Sequence, residues 1–599
     1  MENLRLVREG MRIDINTPIK VRDGRSLMAN IYFPMEEGAY PVVFNHGIYG
    51  KDLHYEDGYP DKYNRLRQYV PEYFTNTSCN HHCWEVIDPE KWCNDGYIIA
   101  RVDSRGTGWS PGLMRPYAFQ EAEDTYDLIE WFAAQPWCNG KVGLSGTSYH
   151  AVTMWNAAAL NPPHLSAFVA WEGHTDIYRD TFRHGGILSI TYPMWYKKQP
   201  MLVQHGRGTR GFTSRLTGRP VSGEETFSDD ELRANRVDFG AMIASEENEL
   251  INDFHRETMP DVSKITAPYI DIVNWGGQGL HLRGGVDAFV NGGSEHKYMY
   301  TVLGPHGDLY FGDFGVNLQK QFFGHFLKGE NTGWDKMPSV RLRIPRVGEP
   351  AFSKNHIYRD EKEFPLARTV YTKYYLNCEN FSLITEEPTA TGSLSYKGIS
   401  SDGLTFLTQP LNEETEITGY IMSRLFISSE TEDVDLFLVV RAFSPDMKEV
   451  TFPWGANARH IPIAMGWQRA SHRKMDPRKS SVYRPYLTHD ELLPLKPGEI
   501  VEMNIEIWPS CIVLPKGFRL ALTIRGKDYV YPGYEPAPNQ PSSKFDADVT
   551  LLDGVGVIRH TDPVDRPPEI FDRNVTLHFD RDKRPYLLLP IIPQKKGEF

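Results

Sequence analysis

The sequence predicts an α/β chain: a parallel sheet with helical crossovers, interrupted by a helical insertion and followed by an all-β domain. Three observations carry this expectation. Short continuous apolar runs ending in small residues, such as PVVFNHG and GYIIARVDSRG, alternate with segments of helical spacing up to about residue 174 and again over 263–345. Between 175 and 262 the pattern turns charged and helical. From 346 to 599 the helices largely vanish and apolar residues recur at every second position.

The elements follow in order. IDINTPIKVRDGRSLMANIYFP alternates around Arg-Asp-Gly-Arg and reads as two hairpin strands. PVVFNHG and GYIIARVD read as strands buried on both faces, as a parallel sheet requires. QEAEDTYDLIEWFAAQP is an amphipathic helix stopped at Pro136. KVGLSG is the next strand and SYHAVTMWNAAALNP the helix after it. LSAFVAWEG and APYIDIVNWGG are further strands. SDDELRANRVDFGAMIASEENELINDFHRE is helical in character and belongs to an insertion over the sheet. MYTVLGPHGDLYF resumes the strand–loop pattern, and NLQKQFFGHFLKGENTGW is a helix with a stop at Gly329. TGYIMSRLFISSE, VDLFLVVRAF, EIVEMNIEIWP and FRLALTIRG then alternate as strands of a sandwich or jelly roll.

Composition bounds the function. At 599 residues the chain exceeds one hydrophobic core, and 40% hydrophobic with 24% charged residues is ordinary for a globular protein. A net charge of −13 without a basic cluster excludes nucleic acid as the expected partner. No apolar run reaches the length of a membrane span, and MENLRLVREGMRIDINTPIK lacks the apolar core of a signal peptide. Six cysteines make no disulfide framework. A cytoplasmic protein is expected. CNHHC (79–83) has the look of half a metal site, but its second ligand pair is missing, so no metal and no organic cofactor are expected.

Chemistry enters at VGLSGTSYHA (142–151). A strand–Gly-x-Ser-x-small–helix junction places a nucleophilic serine on a sharp, strained turn at the top of a parallel sheet. The strand runs through Ser145 and the helix begins near Tyr149, which puts Ser148 at the corner with Gly146 two residues before it. Ser145 is the weaker alternative. His150 stands where glycine is usual.

GTSYHA in this setting, RVDSRGTGWSPG (101–112), HGIYGKD (46–52), DIYRD (176–180), GLHLRG (279–284) and the C-terminal segments LTFLTQPL and YLLLPIIP together resemble the cocaine esterase / X-Pro dipeptidyl-peptidase family (CocE/NonD hydrolases, peptidase family S15). The likeness runs in order over nearly the whole chain. It implies an α/β-hydrolase core (1–174 and 263–345), a helical cap (175–262) and a C-terminal jelly roll (346–599), the same division that the residue pattern gives.

A serine hydroxyl needs a base, and the base needs an acid that holds its tautomer. In the order serine, acid, histidine, the base falls in the loop of YTVLGPHGDLYF, at His306; His296 and His325 fit worse, one preceding its strand and one lying within a helix. Elbow geometry gives the N–H of Tyr149 to the oxyanion, and the resemblance implies the hydroxyl of Tyr49 as second donor. The acid departs from the family. Its usual Asp falls in a Trp-x-Asp context, and here that position is Gly277. Glu172, at the end of AFVAWEG on the same rim, is the candidate acid, with Asp176 and Asp308 as alternatives. Asp103 and Arg105 read as loop-shaping. Trp109, Trp171 and Trp275 lie at strand ends and either line an acyl pocket or pack in the core.

The function expected is a serine hydrolase cleaving an ester or amide of a small organic substrate through an acyl-enzyme. An acyltransferase or cyclase would use the same intermediate. An X-Pro dipeptidyl aminopeptidase needs a carboxylate for the substrate amine that no motif marks. A binding protein on a hydrolase scaffold is the non-catalytic alternative raised by Gly277. The β domain either completes the wall of the site or mediates a homodimer.

Overall fold

The computed structural model describes residues 4–349, 356–455, 459–532 and 558–593. Segments 350–355, 456–458, 533–557 and 594–599 of the expected β domain lie outside the described residues.

In chain order the strands of the first 361 residues are β1 Leu4–Arg8, β2 Met11–Lys20, β3 Ser26–Pro34, β4 Tyr40–Gly47, β5 Ile98–Asp103, β6 Cys138–Thr147, β7 Leu165–Trp171, β8 Arg183–His184, β9 Ile187–Leu188, β10 Tyr269–Asn274, β11 Lys297–Val302, β12 Val340–Arg343 and β13 Tyr358–Glu361. All but β8 and β9 form one sheet in the order β1-β2-β3-β5-β4-β6-β7-β10-β11-β12-β13. Its centre, from β5 through β12, is parallel. The antiparallel strands β1–β3 extend one edge and β13 the other.

The central strands are apolar throughout because both faces are covered. Val42 and Phe44 of β4 face the helices Phe119–Ala133 and Tyr149–Ala158 with Leu128, Phe132, Met154 and Trp155. Val43 points the other way, into the cluster that holds Phe322, Phe323 and Leu327 of the helix Asp313–Lys328. That helix ends at Gly329 in the left-handed conformation (φ 69°), as the sequence stop required.

The insertion after β7 is less helical than its charge pattern suggested. The run 228–257 breaks into Asp229–Ala234, Phe239–Ala244 and Asp253–Glu257. Ser228, Asp238 and Asn252 each cap the following helix by accepting a backbone N–H, so the polar residues that suggested one helical stretch instead restart it. Around these lie the β8–β9 hairpin and the helix Thr191–Lys198.

The C-terminal domain is all β. Thr415–Ser429 pairs with Val501–Leu514 along one edge and with Tyr586–Ile592 along the other. Tyr586–Ile592 pairs in turn with Val370–Asn377, which closes the sheet into a β-barrel. The domain expected as a jelly roll is, in its described part, this closed barrel. Its core is continuous with Trp275, Leu282, Val286 and Phe289, so the barrel docks on the helix Leu282–Asn291 that follows β10. A buried ion network pins the junction: Arg283 reaches Asp180 at 2.8 Å and Glu506 at 2.8 Å.

Candidate active site

The parallel strands end on one rim, where open α/β sheets collect ligands. β6 stops at Thr147 and the next helix begins at Tyr149. Ser148 turns the corner with φ 57° and ψ −116°. Such a backbone costs a non-glycine residue of order 1–3 kcal/mol and is kept where the surroundings enforce it. The enforcement is visible: the Ser148 N–H is tied to the carbonyl of Trp171 at 2.9 Å. His150, in the place of the usual glycine, fits because Gly146 and Gly47 leave it room. A Cβ on Gly146 would lie 2.6 Å from His150 Cβ, and one on Gly47 would lie 2.1 Å from its ring. The His150 ring is bonded through Nδ1 to the carbonyl of His46, 3.2 Å away. Ser145, the weaker candidate, is buried below the corner and bonded to Tyr310 and Gln319.

Glu172 follows β7, itself in left-handed backbone (φ 50°). Its carboxylate accepts from His306 Nδ1 at 2.8 Å, from the Gly307 N–H at 2.9 Å and from Asn274 Nδ2 at 3.0 Å. Asp308 is held instead by a two-pronged bond from Arg65 (2.8 and 2.7 Å), and Asp176 by Arg179 at 2.6 Å. Of the three carboxylates weighed as the acid, Glu172 bonds the His306 imidazole, while the other two are engaged by arginines. His306 lies in the loop after β11. Burial pulls its imidazolium down, and the charges of Glu172 and then Glu85 outweigh burial, leaving its pKa up at about 9.

The Ser148 hydroxyl is not hydrogen-bonded to His306, the histidine that chain order indicated. Its partner is His281 Nε2 at 3.1 Å. His281 Nδ1 is bonded to His174 Nδ1 at 3.0 Å, and the His281 ring stacks on His306 with centroids 5.1 Å apart. Burial, then the charges of His306 and His174, push the His281 pKa well below 6.5, so this ring is neutral. His306 Nε2 faces a further carboxylate, Glu85 Oε1, at 3.4 Å.

The helix that starts at Tyr149 leaves the first N–H groups without intrahelical acceptors, aimed at the corner. Tyr49, in the loop after β4, packs edge-on to Tyr149 with centroids 5.9 Å apart. Its hydroxyl accepts from Trp195 Nε1 at 3.1 Å, so its own proton is free to donate elsewhere. Burial first, then the negative charge of Glu85, raises its pKa well above 10 and keeps that proton on. Asp103 shapes this loop as expected, accepting the N–H groups of Lys51 (2.7 Å) and Trp109 (2.9 Å), and Arg105 is paired with Asp124 and Asp23.

The tryptophans expected along an acyl pocket are interior. Trp275 packs in the barrel junction and donates to the Arg343 carbonyl at 2.9 Å. Trp171 is fully buried, its ring edge-on to Tyr310. Trp109 is buried under the insertion, bonded to the Pro220 carbonyl and covered by Arg219. The aromatic rings that crowd Tyr49 and Tyr149 are Trp195 and Tyr117. Tyr192 packs on both of these, so the insertion covers Tyr49 and Tyr149 with Trp195 and Tyr192.

Sequence reasoning missed His281, His174 and Glu85. His281 sits in GLHLRG, the same loop in which Gly277 replaces an acid. Glu85 follows CNHHC, whose histidines are bonded locally: His81 pairs with Glu9, and His82 bonds the Tyr63 hydroxyl and faces Asp88. Among the described residues no group of His, Cys, Asp and Glu is arranged to hold a metal ion.

Parallel sheet, inserted roof and a serine at the strained corner define an α/β-hydrolase, and the protein is a serine hydrolase acting on ester or amide bonds. Residues 23–283 match the model of the X-Pro dipeptidyl-peptidase (S15 family), and residues 332–560 match the model of the X-Pro dipeptidyl-peptidase C-terminal non-catalytic domain. The chain belongs to this S15 family, which the sequence motifs had indicated. It is 25% identical to the cocaine esterase of Rhodococcus sp. (strain MB1 Bresler), over 88% of this chain and 92% of that one. A CocE/NonD family hydrolase from Staphylococcus aureus superposes with a TM-score of 0.80 at 28% identity, covering 97% of this chain and 94% of that one. An α-amino acid ester hydrolase, 15% identical with a TM-score of 0.65 over 99% of this chain and 98% of that one, shares the fold. Among the described residues no helix is long and apolar enough to cross a membrane.

Proposed function

We propose that the protein hydrolyses a carboxylic ester bearing a bulky or aromatic acyl group, with Ser148 as nucleophile, His306 as general base and Glu172 as the acid that orients it. The observation that carries this reading is the strained Ser148 corner beside a buried Glu172–His306 pair. Glu172 does what the missing Asp at Gly277 would do. It accepts the Nδ1 proton at 2.8 Å, leaving Nε2 as the face that exchanges protons. The base must also tolerate positive charge. Glu172 supplies that tolerance to His306, whereas His281 has no carboxylate partner among its hydrogen bonds and a histidine stacked on it.

Attack by Ser148 Oγ on the acyl carbon moves negative charge to the carbonyl oxygen. The Tyr149 N–H and the Tyr49 hydroxyl are the donors for that charge. The proton taken by His306 is returned to the leaving alkoxide, and water then repeats the sequence on the acyl-enzyme. The rings of Trp195, Tyr117 and Tyr192 favour an aromatic or bulky apolar acyl group. A cytoplasmic setting is supported by six unpaired thiols.

Burst kinetics with p-nitrophenyl esters test the reading. A burst of one nitrophenol per enzyme, with kcat/KM rising from acetyl to benzoyl esters, is expected. Steady turnover of an X-Pro-nitroanilide with no ester burst would overturn it.

A further inference from the structure

A serine and its base work together through the hydrogen bond between Oγ and the imidazole nitrogen. Here each half of that bond faces another group. Ser148 Oγ is 3.1 Å from His281 Nε2. His306 Nε2 faces Glu85 Oε1 at 3.4 Å, without the alignment of a hydrogen bond.

Neither holding group is placed casually. Glu85 is 2% exposed, in left-handed backbone with φ 63°. Its carbonyl accepts the N–H of Thr147 at 3.1 Å, which staples its loop to the residue before the nucleophile. Its second oxygen, Oε2, has no hydrogen-bond partner among the described residues. A buried carboxylate with an unsatisfied oxygen is costly and calls for an explanation. His281 is fixed from behind by His174, and its ring lies at 22° to that of His306. The two histidines therefore present stacked edges beside one serine.

We propose that the free enzyme keeps its nucleophile and base uncoupled: His281 holds the Ser148 hydroxyl, Glu85 holds the Nε2 edge of His306, and substrate entering at that edge lets Ser148 turn to His306. The inference rests on Ser148, His306 and Glu172 acting as proposed above. Glu85 and His281 are positioning residues in it. The coupled state starts from the base form of His306, its Nε2 proton having left to solvent water as substrate enters; the Oγ–H bond then breaks and its proton goes to the vacant Nε2. Oγ forms its bond to the acyl carbon, and the carbonyl π pair moves onto oxygen. When the tetrahedral intermediate collapses, the same proton leaves Nε2 with the departing oxygen.

The charges around His306 agree with this geometry. Glu172 faces it from the end of β7, Glu85 from the loop before β5 and neutral His281 from the loop after β10. Lys62, on the helix Pro60–Tyr69, acts on Glu85, and Asp308 beside His306 is neutralised by Arg65. With the imidazolium held up at about 9 by Glu172 and Glu85 against burial, about 1% of His306 is in the base form at pH 7. Removing the Glu85 charge frees more of the base, whereas removing Glu172 also frees its orientation.

The test is the rate of fluorophosphonate inactivation against pH for the full-length wild type, Glu85→Gln and His281→Phe. Glu85→Gln is expected to move the acid limb down by at least one unit and to speed inactivation at pH 7 about tenfold. His281→Phe, which releases the Ser148 hydroxyl, is expected to leave the limb in place and to raise the rate several-fold above wild type. An unmoved limb with slower Glu85→Gln labelling would overturn the proposal, as would abolished labelling of folded His281→Phe, which would make His281 the base. Glu85→Asp, which retracts the carboxylate by one methylene, should shift the limb in the same direction if the glutamine variant fails to fold. An adduct that persists on Ser148→Ala would sink the serine assignment itself. An adduct confined to Ser148 with no response to Glu85→Gln would sink only the uncoupling.

Discussion

Glu172→Gln is the substitution that most sharply separates a working acid from a bystander. The carboxylate accepts three hydrogen bonds: Oε2 from His306 Nδ1 (2.8 Å) and Asn274 (3.0 Å), Oε1 from the Gly307 N–H (2.9 Å). Glutamine is nearly isosteric but has one oxygen and one NH₂. With the oxygen toward His306, the NH₂ meets the Gly307 N–H donor to donor. Flipped, the NH₂ faces His306 Nδ1 and forces the ring proton onto Nε2, the nitrogen that must accept from serine. Either arrangement loses orientation and the charge that stabilises the imidazolium. A wrong tautomer of this kind costs a factor of about 10⁴ in kcat, and the expected loss is ~10³–10⁴ with KM little changed. The acid limb should also fall from about 9, because Glu172 is the largest of the influences that raise it. The assay is burst and steady-state hydrolysis of p-nitrophenyl benzoate from pH 5 to 10. Activity within threefold of wild type would refute the reasoning and return the acid to Asp176 or Asp308, despite their arginine partners.

Three further outcomes follow from the packing. His184, His472 and His255 are buried at the junction of insertion and barrel, with pKa values lowered by burial to about 3, about 3 and about 4. Their stabilisation is full above the unfolded value of about 6.5 and is lost as pH falls toward the folded values, each deeply depressed histidine costing about 2 kcal/mol by pH 5; calorimetry should show Tm falling steeply between pH 6.5 and 5, and a flat Tm would contradict this. Gly47→Ala puts a methyl 2.1 Å from the His150 ring and should cost about 1–3 kcal/mol or more, with partial recovery in the Gly47→Ala/His150→Ala double variant, read by urea unfolding. Arg283→Met leaves Asp180 and Glu506 buried without this partner and should cost about 3–5 kcal/mol, so denaturation that matches wild type would mean the network contributes nothing.

The architecture was legible in the sequence wherever periodicity was strong. The run PVVFNHG read as a doubly covered strand and is one, and the Ser148 corner followed from where strand spacing gives way to helical spacing. The insertion was less legible because Ser228, Asp238 and Asn252 read as surface polars until their backbone bonds make them caps. The site was half legible. Glu172 was singled out because it ends a strand on the rim, and its carboxylate accepts a hydrogen bond from His306 Nδ1. His281 and Glu85 were not found, since nothing in their neighbouring residues sets them apart: His281 is brought to Ser148 across 133 positions, and Glu85 arrives from a loop that looked like an idle histidine cluster. The sequence left the tryptophans open between pocket and core, because a ring at a strand end packs inward as readily as it lines a cleft, and all three are buried.

The most direct test of the nucleophile is intact-mass analysis after fluorophosphonate treatment of wild type and Ser148→Ala. A single adduct on wild type, located to Ser148 by peptide mapping and absent from the folded variant, is the result expected. An adduct retained by Ser148→Ala, or none on folded wild type at pH 9, where His306 should be substantially deprotonated, would contradict the assignment of Ser148 as an activated nucleophile.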